Sequence, residues 1–342
     1  MFGIELTEYD HQVYREQLAD FLPARLVDAH AHIWKEAFVE NPQGRGCVTW
    51  VNRVACECTA EDLLRTYAQL FPGKTVTPVL MGYPLANLQK TNAYARACGE
   101  KYALPTLLCT AWDTPPEQIR QALTTGGFAG IKPYLSNAPA YIPPAELRIF
   151  DFLPHSHLRV ADELGAAVLL HIPRPQRLKD PVNLAQMMEI DRLYPNAKVI
   201  IAHVGRAYTE DDLAGAFDVL RHAQNLLFDF SASTLGQAMI ACIEAVGPER
   251  VLFGSDMPIT KMRMYRIAEG GTYKNVVPRG LYGDVSGDIN MKESDEARIT
   301  VFLYEELLAF RRAAQALRLS QYEIEDILCG NALRLFNIGE PE

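Results

Sequence analysis

Short apolar runs alternate along most of the chain with longer stretches whose apolar positions recur at helical spacing. Runs rich in Val, Ile, Leu and Phe that lack polar alternation are typical of parallel strands covered on both faces. Eight such runs occur, at residues 26–33, 77–83, 103–109, 128–134, 166–172, 197–204, 225–232 and 250–257. Eight strands that alternate with amphipathic helices predict an α/β fold of the (β/α)8 TIM-barrel type.

The spacing of these runs also predicts how the 342 residues are organised. A single barrel domain of residues 26–338 accommodates all eight units, and we interpret residues 1–25 as an N-terminal helical extension. The connections after strands 1, 4 and 8 are long and cover residues 34 to about 58, 135–153 and 260–293. Connections of this length in a compact domain are usually functional.

The charge composition of the chain limits the kinds of molecule that it is expected to bind. The chain has 33 Lys and Arg against 42 Asp and Glu, a formal net charge of −9 at pH 7. This balance argues against a broad nucleic-acid or anionic-membrane surface and favours a small-molecule substrate. No apolar run approaches the roughly 18 residues of a membrane span, no export-signal pattern is present, and the cysteines lack CxxC spacing. We therefore expect a cytoplasmic protein, and homo-oligomerisation stays open.

Two histidines, His30 and His32, lie two residues apart at the carboxyl end of the first predicted strand. Alternate residues of a strand point to the same side, so both imidazoles are expected to face the catalytic mouth of the barrel. The same spacing recurs at His155 and His157, but there it follows Pro154 at a predicted helix start, where residues two apart do not share a face. We interpret this second pair as part of a solvated helix start.

Polar residues also end three other predicted strands. His171 ends the fifth, His203 lies near the end of the sixth, and Asp256 lies near the end of the eighth. The carboxyl ends of barrel strands converge, so these side chains are expected to meet the two histidines of the first strand. Neutral imidazoles with one carboxylate suit a divalent transition metal such as Zn or Mn, with positions left open for water and substrate.

Five segments of the chain resemble one known family of enzymes. They are VDAHAHIW (27–34), LLHIPR (169–174), VIIAHVGR (199–206), VLFGSDMPI (251–259) and ILCGNALRLF (327–336). Together they resemble the amidohydrolase-related family of metal-dependent hydrolases, over about residues 26 to 338. The most similar branch includes lactone hydrolases acting on pyrone dicarboxylate and sugar lactones, and metal-dependent decarboxylases of the aminocarboxymuconate type.

The resemblance carries expectations about the site. It implies a deformed (β/α)8 barrel with usually one divalent ion, for which we favour Zn over Mn. The implied role of His203 is to orient or deprotonate the attacking water. The implied metal ligands are His30, His32, His171 and Asp256.

Lys132 ends the fourth predicted strand in the sequence GIKPY. Some members of the superfamily carry a carboxylated lysine at this place, which bridges two metals. A lysine ammonium could equally pair with a substrate carboxylate or with Asp256, and we favour this non-bridging role because the similar branch also has Lys here. Tyr134, two residues on, is a further predicted substrate contact.

Arg174 and Arg206 each follow a strand-end histidine by three residues, so both are expected on loops at the barrel mouth. Guanidinium groups recognise carboxylates in a bidentate manner, which predicts an anionic substrate. The alternative for each arginine is a salt bridge on the rim, with an acid such as Asp180 or Asp212 as partner.

The connection 260–293 mixes basic residues with Met and Tyr. Such a mixture also occurs in nucleic-acid-binding segments, but the acidic chain and the predicted metal pocket favour a substrate lid. Arg263 is its predicted substrate contact. Its basic residues between 261 and 274 are Lys261, Arg263, Arg266 and Lys274.

These residues predict metal-assisted hydrolysis of a lactone, ester or amide carbonyl in a small anionic substrate, with the ion activating a water molecule. Asp256 is the stronger candidate for the general base, and His203 is expected to stabilise the developing oxyanion. The alternative enzyme function is non-oxidative decarboxylation of an unsaturated or aromatic acid at the same metal. Outside enzymes, the alternative is a catalytically silent barrel that binds a ligand or a partner.

Overall fold

The computed structural model describes residues 5–40 and 54–339 of the chain. All eight predicted strands are present, and they pair in parallel. The α/β-barrel prediction is confirmed. The strands are β1 Arg25–His32, β2 Thr75–Met81, β3 Leu107–Thr110, β4 Gly130–Pro133, β5 Ala167–Leu170, β6 Lys198–Ile201, β7 Leu227–Asp229 and β8 Val251–Leu252.

Backbone contacts close the eight strands into a barrel. Strands β3 to β8 form one sheet in sequence order, and β1 pairs with β2. A parallel bridge between Leu80 and Thr106 joins β2 to the start of β3, and one between Ala31 and Met257 joins β1 to the segment after β8. The carboxyl ends of the strands therefore meet at one mouth.

Most strands are shorter than the apolar runs that predict them, chiefly at their carboxyl ends. β6 ends at Ile201 and β8 at Leu252, so His203 and Asp256 lie beyond the regular ladder. Both have left-handed backbones, with φ of 59° and 57°. Residues other than glycine rarely adopt this backbone conformation, which costs them about 1–2 kcal/mol each. The apolar pattern cannot indicate these turns because the residues in them remain buried.

Helices connect the strands and pack around the barrel. Among the described residues, no helix is both long and apolar enough to cross a membrane. The longer helices are Ala60–Leu70, Leu88–Tyr102, Pro116–Thr124, His155–Leu164, Pro181–Leu193, Gly236–Val246 and Phe302–Leu317. The shorter ones are Glu8–Val13, Ile149–Phe152, Ala216–Leu220, Gln321–Glu325 and Asn331–Phe336.

The connection 260–293 is a small sheet and not the loop that the sequence predicts. Its strands are β9 Tyr265–Glu269, β10 Thr272–Pro278 and β11 Met291–Ser294. β9 and β10 form an antiparallel hairpin across Gly270 and Gly271, and both of these glycines have positive φ, as a two-residue hairpin turn requires. The connection 135–153 contains two single 3-10 turns before a short helix. Of the connection 34–58, residues 41–53 lie outside the described residues.

The N-terminal helix packs on the barrel. Its residue Val13, and Leu18 and Leu22 after it, belong to the same buried cluster as the strand residues. Asp10 is fully buried and forms a bidentate ion pair with Arg263, whose Nη1 and Nη2 donate over 3.0 Å and 2.6 Å. This pair joins the helix to the segment after β8. The domain boundary at residue 25 stays a prediction.

We expect Asp10→Asn to lower the free energy of unfolding by about 3 kcal/mol, because it leaves the Arg263 guanidinium without its charge partner. Burial raises the pKa of Asp10, but hydrogen bonds from Arg263, Thr300 and Thr7 outweigh this effect and hold the pKa below 3.8. A depressed folded pKa means that the stabilisation is present above about pH 4 and is lost as the pH falls through the folded pKa. Urea unfolding of both proteins should therefore show a difference that shrinks in acid, and a difference independent of pH would contradict this account.

Candidate functional site

A cavity of about 390 Å³ opens at the carboxyl ends of the strands. Active sites of barrel enzymes occupy this face because the loops after the strands surround it. Two of the sequence-predicted site residues, Arg174 and Arg263, do not line this cavity. The predicted residues that do line it are His30, His32, Lys132, Tyr134, His171, His203, Arg206 and Asp256.

Asp229 at the end of β7 fixes the tautomer of His30. His30 Nδ1 lies 3.0 Å from Asp229 Oδ2. Burial raises the pKa of Asp229, but His30, His203 and Ser231 hold it well below its usual range. An ionised carboxylate only accepts, so Nδ1 of His30 donates and Nε2 keeps a lone pair. Burial, with the charge of Lys132, lowers the pKa of His30 to about 3, so the ring is neutral near pH 7.

His203 is held in the same way by the segment after β7. Its Nδ1 lies 2.9 Å from the backbone oxygen of Ser231, which can only accept, so Nε2 again keeps a lone pair. Its backbone N donates to Asp229 Oδ1 over 2.9 Å. Burial lowers the pKa of His203. Asp229 and Ser231 therefore hold both His30 and His203 in the form that binds a metal through Nε2.

His32 is oriented from β2 and β4. Its Nδ1 lies 3.0 Å from the backbone oxygen of Gly82, just beyond β2, and therefore donates. The Tyr134 hydroxyl donates to the same carbonyl over 2.6 Å. In this arrangement Tyr134 positions His32, and its hydroxyl is engaged by the protein.

Asp256 lies where these imidazoles converge. Its Oδ1 is 3.0 Å from His32 Nε2 and 3.5 Å from His30 Nε2. Burial raises the pKa of Asp256, but hydrogen bonding to His32 and the neighbouring imidazoles outweigh this effect and hold the pKa below its usual value. Imidazole lone pairs this close to an ionised carboxylate repel it unless a proton or a metal cation lies among them. The donor set therefore fits a bound cation.

Three of these donors, His30, His203 and Asp256, have ligand atoms that all lie within 4.8 Å of one another. The ring of His171 packs edge-on against His203 at a centroid distance of 5.3 Å. Its Nδ1 is buried and has no hydrogen-bond partner in the described part of the chain. Burial lowers the pKa of His171 well below its usual value, so it adds a neutral imidazole to the group. These residues fit a divalent metal ion.

Lys132 lies on β4 beneath the histidines, and it is buried. Its Nζ is 3.3 Å from His30 Nε2, which places an ammonium donor against the imidazole lone pair. Burial lowers the pKa of Lys132 to about 8, although Asp229 and Asp256 raise it. The non-bridging role of Lys132 that the sequence favours stays a prediction.

Arg206 reaches the cavity through a left-handed turn. His203, Val204, Gly205 and Arg206 have φ of 59°, 47°, 62° and 62°. A Cβ on Gly205 would meet Leu178 Cδ1 at 2.3 Å, so a side chain here would have to displace Leu178 and would also be strained by the positive φ. The Nη1 of Arg206 donates to three backbone carbonyls, those of Ile172, Pro173 and Arg174.

Arg174 and Arg263 do not line the cavity, which argues against their predicted role as substrate contacts. Arg174 Nε lies 3.4 Å from Asp180 Oδ2, the rim salt bridge that the sequence leaves as the alternative. Arg263 is bound by Asp10, as described above. In both cases the guanidinium that a substrate would need is already paired with a carboxylate of the protein.

His157 corrects a second expectation. The sequence places His155 and His157 at a solvated helix start, and the helix His155–Leu164 does begin there. His157, however, is only 1% exposed, and its Nε2 lies 2.7 Å from the backbone oxygen of Thr114. It is a core histidine that the cavity does not include.

Three residues that take part in this site are not among the site residues predicted from the sequence. Asp229 and Ser231 hold the histidines, and Arg266 on β9 lines the cavity. The sequence does carry a signal for the first two. Asp229 is an acid inside the apolar run LLFDF, and Ser231 follows it by two residues, which places both on the same side of the strand. Arg266 belongs to the predicted lid, but no local pattern separates it from Arg263.

The chain is similar to known proteins in sequence and in fold. The profile described as amidohydrolase matches residues 27–269. A search of curated proteins finds no match. Among solved structures, an amidohydrolase from Burkholderia multivorans with bound zinc is 14% identical, with a TM-score of 0.60 over 92% of this chain and 100% of that one.

Two other similar structures come from enzymes of different reaction types. One is a probable 2-pyrone-4,6-dicarboxylic acid hydrolase from Acinetobacter baumannii with citric acid bound, 18% identical, with a TM-score of 0.57 over 92% of this chain and 99% of that one. The other is a 2,6-dihydroxybenzoate decarboxylase in complex with 2,6-dihydroxybenzoate, 14% identical, with a TM-score of 0.55 over the same shares. These structures share the fold of this chain. Because the family profile covers the strands that carry the candidate metal site, we conclude that the chain belongs to the amidohydrolase family of metal-dependent enzymes.

Proposed function

We propose that this enzyme hydrolyses a lactone, ester or amide bond in a small substrate that bears a carboxylate. The observation that carries the proposal is the position of Asp256 in the cavity, where an ionised carboxylate lies 3.0 Å and 3.5 Å from two imidazole Nε2 atoms. A base held in its ionised form among metal-ligand nitrogens is well placed for metal-assisted hydrolysis.

We further propose that the site takes one divalent ion, with zinc favoured over manganese because most of the donors are imidazole nitrogens. Such an ion supplies a Lewis acid that polarises a carbonyl oxygen and lowers the pKa of water toward about 7. His203 has a ligand atom within 4.8 Å of those of His30 and Asp256 and is a further candidate ligand. The proposed ligands from the sequence are His30, His32, His171 and Asp256.

Asp256 is the proposed general base. It is ionised near neutral pH, and its Oδ2 has no hydrogen-bond partner in the part of the chain that the structure describes, so this oxygen is available to take a proton from the attacking water. His203 carries its proton on Nδ1, so Nε2 of the neutral ring accepts and does not donate. We therefore revise its expected role from oxyanion donor to proton acceptor or ligand.

Arg206→Met is expected to raise KM for the acid substrate by about 10- to 150-fold while metal content stays the same, because a charge-assisted hydrogen bond contributes about 1.5–3 kcal/mol. The guanidinium lines the cavity, with Nη1 fixed by backbone carbonyls. Steady-state kinetics with an acid substrate and its methyl ester provide the measurement. An equal effect on both compounds would show that Arg206 supports the loop and does not bind the carboxylate.

Decarboxylation is the second candidate, and the aromatic wall of the cavity favours it. Trp34 and Tyr83 stack at a centroid distance of 4.4 Å and an interplanar angle of 19°. Both rings line the cavity, together with Tyr208, Tyr273 and Phe302. A flat apolar wall suits a planar aromatic acid. One of the similar structures is a decarboxylase of such an acid.

Isotope labelling separates the two reactions. The protein, reconstituted with zinc or manganese and checked by elemental analysis, is incubated with a panel of lactones, N-acyl compounds and aromatic acids in ¹⁸O-labelled water or in D₂O. Hydrolysis places one ¹⁸O in the product carboxylate or carboxylic acid. Decarboxylation places deuterium on carbon, releases CO₂ and adds no ¹⁸O. We expect the first result, and the second would replace the hydrolase proposal by the decarboxylase.

A further inference from the structure

The hairpin of β9 and β10 forms one wall of the cavity. Arg266 on β9 pairs in register with Asn275 on β10, and its Nε donates to Asn275 Oδ1 over 3.0 Å. Its Nη1 donates to the backbone oxygen of Ala232 over 2.8 Å, just after β7. Asn275 is fully buried and Ala232 nearly so, which fixes both acceptors. The guanidinium is therefore held in one place at the cavity surface.

Aromatic rings surround this guanidinium. Its Cζ lies 4.4 Å from the ring centroid of Tyr208, 4.7 Å from that of Tyr273 and 4.9 Å from that of Phe302. Stacked rings keep the guanidinium plane in one orientation and shield it from water. A group already held in this way loses little conformational entropy when it binds a ligand.

The charge of Arg266 has no protein carboxylate as partner in the described residues. The nearest candidate is Glu306, which is fully buried and accepts from Ala232 N over 2.6 Å. Burial raises the pKa of Glu306 well above its usual value, which favours its neutral form, and its carboxylate forms no ion pair with Arg266 among the described residues. Three other arginines near the mouth are each paired with an acid, Arg174 with Asp180, Arg177 with Asp212 and Arg263 with Asp10.

A guanidinium has five N–H donors, and the protein engages two of those on Arg266. The remaining donors suffice for a carboxylate, and an unpaired charge shielded by aromatic rings gains more from an anion than an exposed one does. We propose that Arg266 binds a carboxylate of the substrate that takes no part in the bond cleavage. This inference rests on the proposed function, because it assigns the recognition of the substrate at that same site to the hairpin.

Binding of simple acids to the metal-loaded full chain tests this inference. Benzoate and phthalate are titrated by calorimetry beside benzamide and phthalamide, which have the same shape without the charge. We expect the wild type to bind at least one acid about tenfold more tightly than its amide, and Arg266→Met to weaken the binding of that acid by about tenfold or more. The affinity for the amide should stay unchanged.

Lys274→Met is the matched control, because it removes one positive charge from the same hairpin. Residue 274 alternates with Tyr273 and Asn275 along β10, so it points to the opposite face, and it does not line the cavity. This variant should bind the acids as the wild type does. Wild-type protein without any preference for acid over amide would overturn the proposal, and so would Arg266→Met protein with undiminished acid binding.

The variant Asn275→Asp distinguishes an anion-binding role of Arg266 from a purely structural one. The new carboxylate would lie where Asn275 Oδ1 now accepts from Arg266 Nε, and it would neutralise the guanidinium without removing it or its rings. We expect the same loss of acid affinity as in Arg266→Met, with an unchanged or raised melting temperature. If Arg266 only clamped the hairpin to Ala232, the variant would retain wild-type acid binding, and that result would overturn the proposal.

These measurements do not depend on turnover. If isotope labelling shows decarboxylation while Arg266→Met still loses acid binding, the hydrolase proposal fails and the anion site stands. If labelling shows hydrolysis and the Arg266 variants bind acids normally, the anion site fails and the hydrolase proposal stands.

Discussion

Asp256→Asn is expected to lower kcat by about 10²- to 10⁴-fold while the barrel stays folded. The carboxylate is held ionised by the histidines around it, and an amide of the same shape cannot accept a proton from water. The Nδ2 of the new amide can donate to the lone pair of His32 Nε2, so the local packing is retained. Kinetics on the best substrate, melting temperature and metal content are measured together.

Asp180→Asn is the matched control for this substitution. Asp180 is a buried aspartate outside the cavity that caps the helix Pro181–Leu193, and asparagine caps helices equally well. We expect this variant to keep wild-type kinetics. Asp256→Asn protein with wild-type kcat would move the general base to His203. Loss of metal in the Asp256 variant would show that Asp256 acts chiefly as a ligand.

His30→Ala and His171→Ala are each expected to lower metal affinity by about 10- to 100-fold or more, because three or four ligands act together on one ion. Nε2 of His30 faces Asp256, and the unpartnered Nδ1 of His171 lies in the same buried cluster. Elemental analysis after dialysis against a chelator gives occupancy, and zinc titration gives affinity. Neither readout depends on knowing the substrate.

His157→Ala is the matched control, because His157 is equally buried but is bonded to Thr114 away from the cavity. It should lower the melting temperature and leave metal affinity unchanged. Full occupancy in His30→Ala and His171→Ala, or equal metal loss in all three variants, would refute the ligand assignment.

The two histidines of β1 are predictable from the sequence because they lie inside a strand. A period of two fixes their common side, and the order of strands fixes the end of the barrel at which they emerge. His203 and Asp256 are predictable only as strand-end residues. Their left-handed backbones come from packing around the mouth, which no local apolar pattern encodes.

Arg263 and Arg266 show what the residue types within one segment cannot predict. Both lie in one basic and aromatic segment, and the sequence favours Arg263 as the substrate contact. The structure pairs Arg263 with Asp10, which is 253 positions away along the chain, and places Arg266 in the cavity. The choice depends on this distant partner and on the register of the hairpin, and neither can be derived from residue types within the segment.

The left-handed turn from His203 to Arg206 also constrains how this enzyme can evolve. One short run of backbone carries both an imidazole of the candidate metal site and a guanidinium at the cavity, and a Cβ on Gly205 within it would collide with the side chain of Leu178. A mutation in this turn would move both groups together. The hairpin of β9 and β10, by contrast, contributes Arg266 and Tyr273 to the cavity and carries none of the proposed metal ligands. New substrate ranges are therefore expected to arise by changes in the hairpin, while the turn is inherited unchanged.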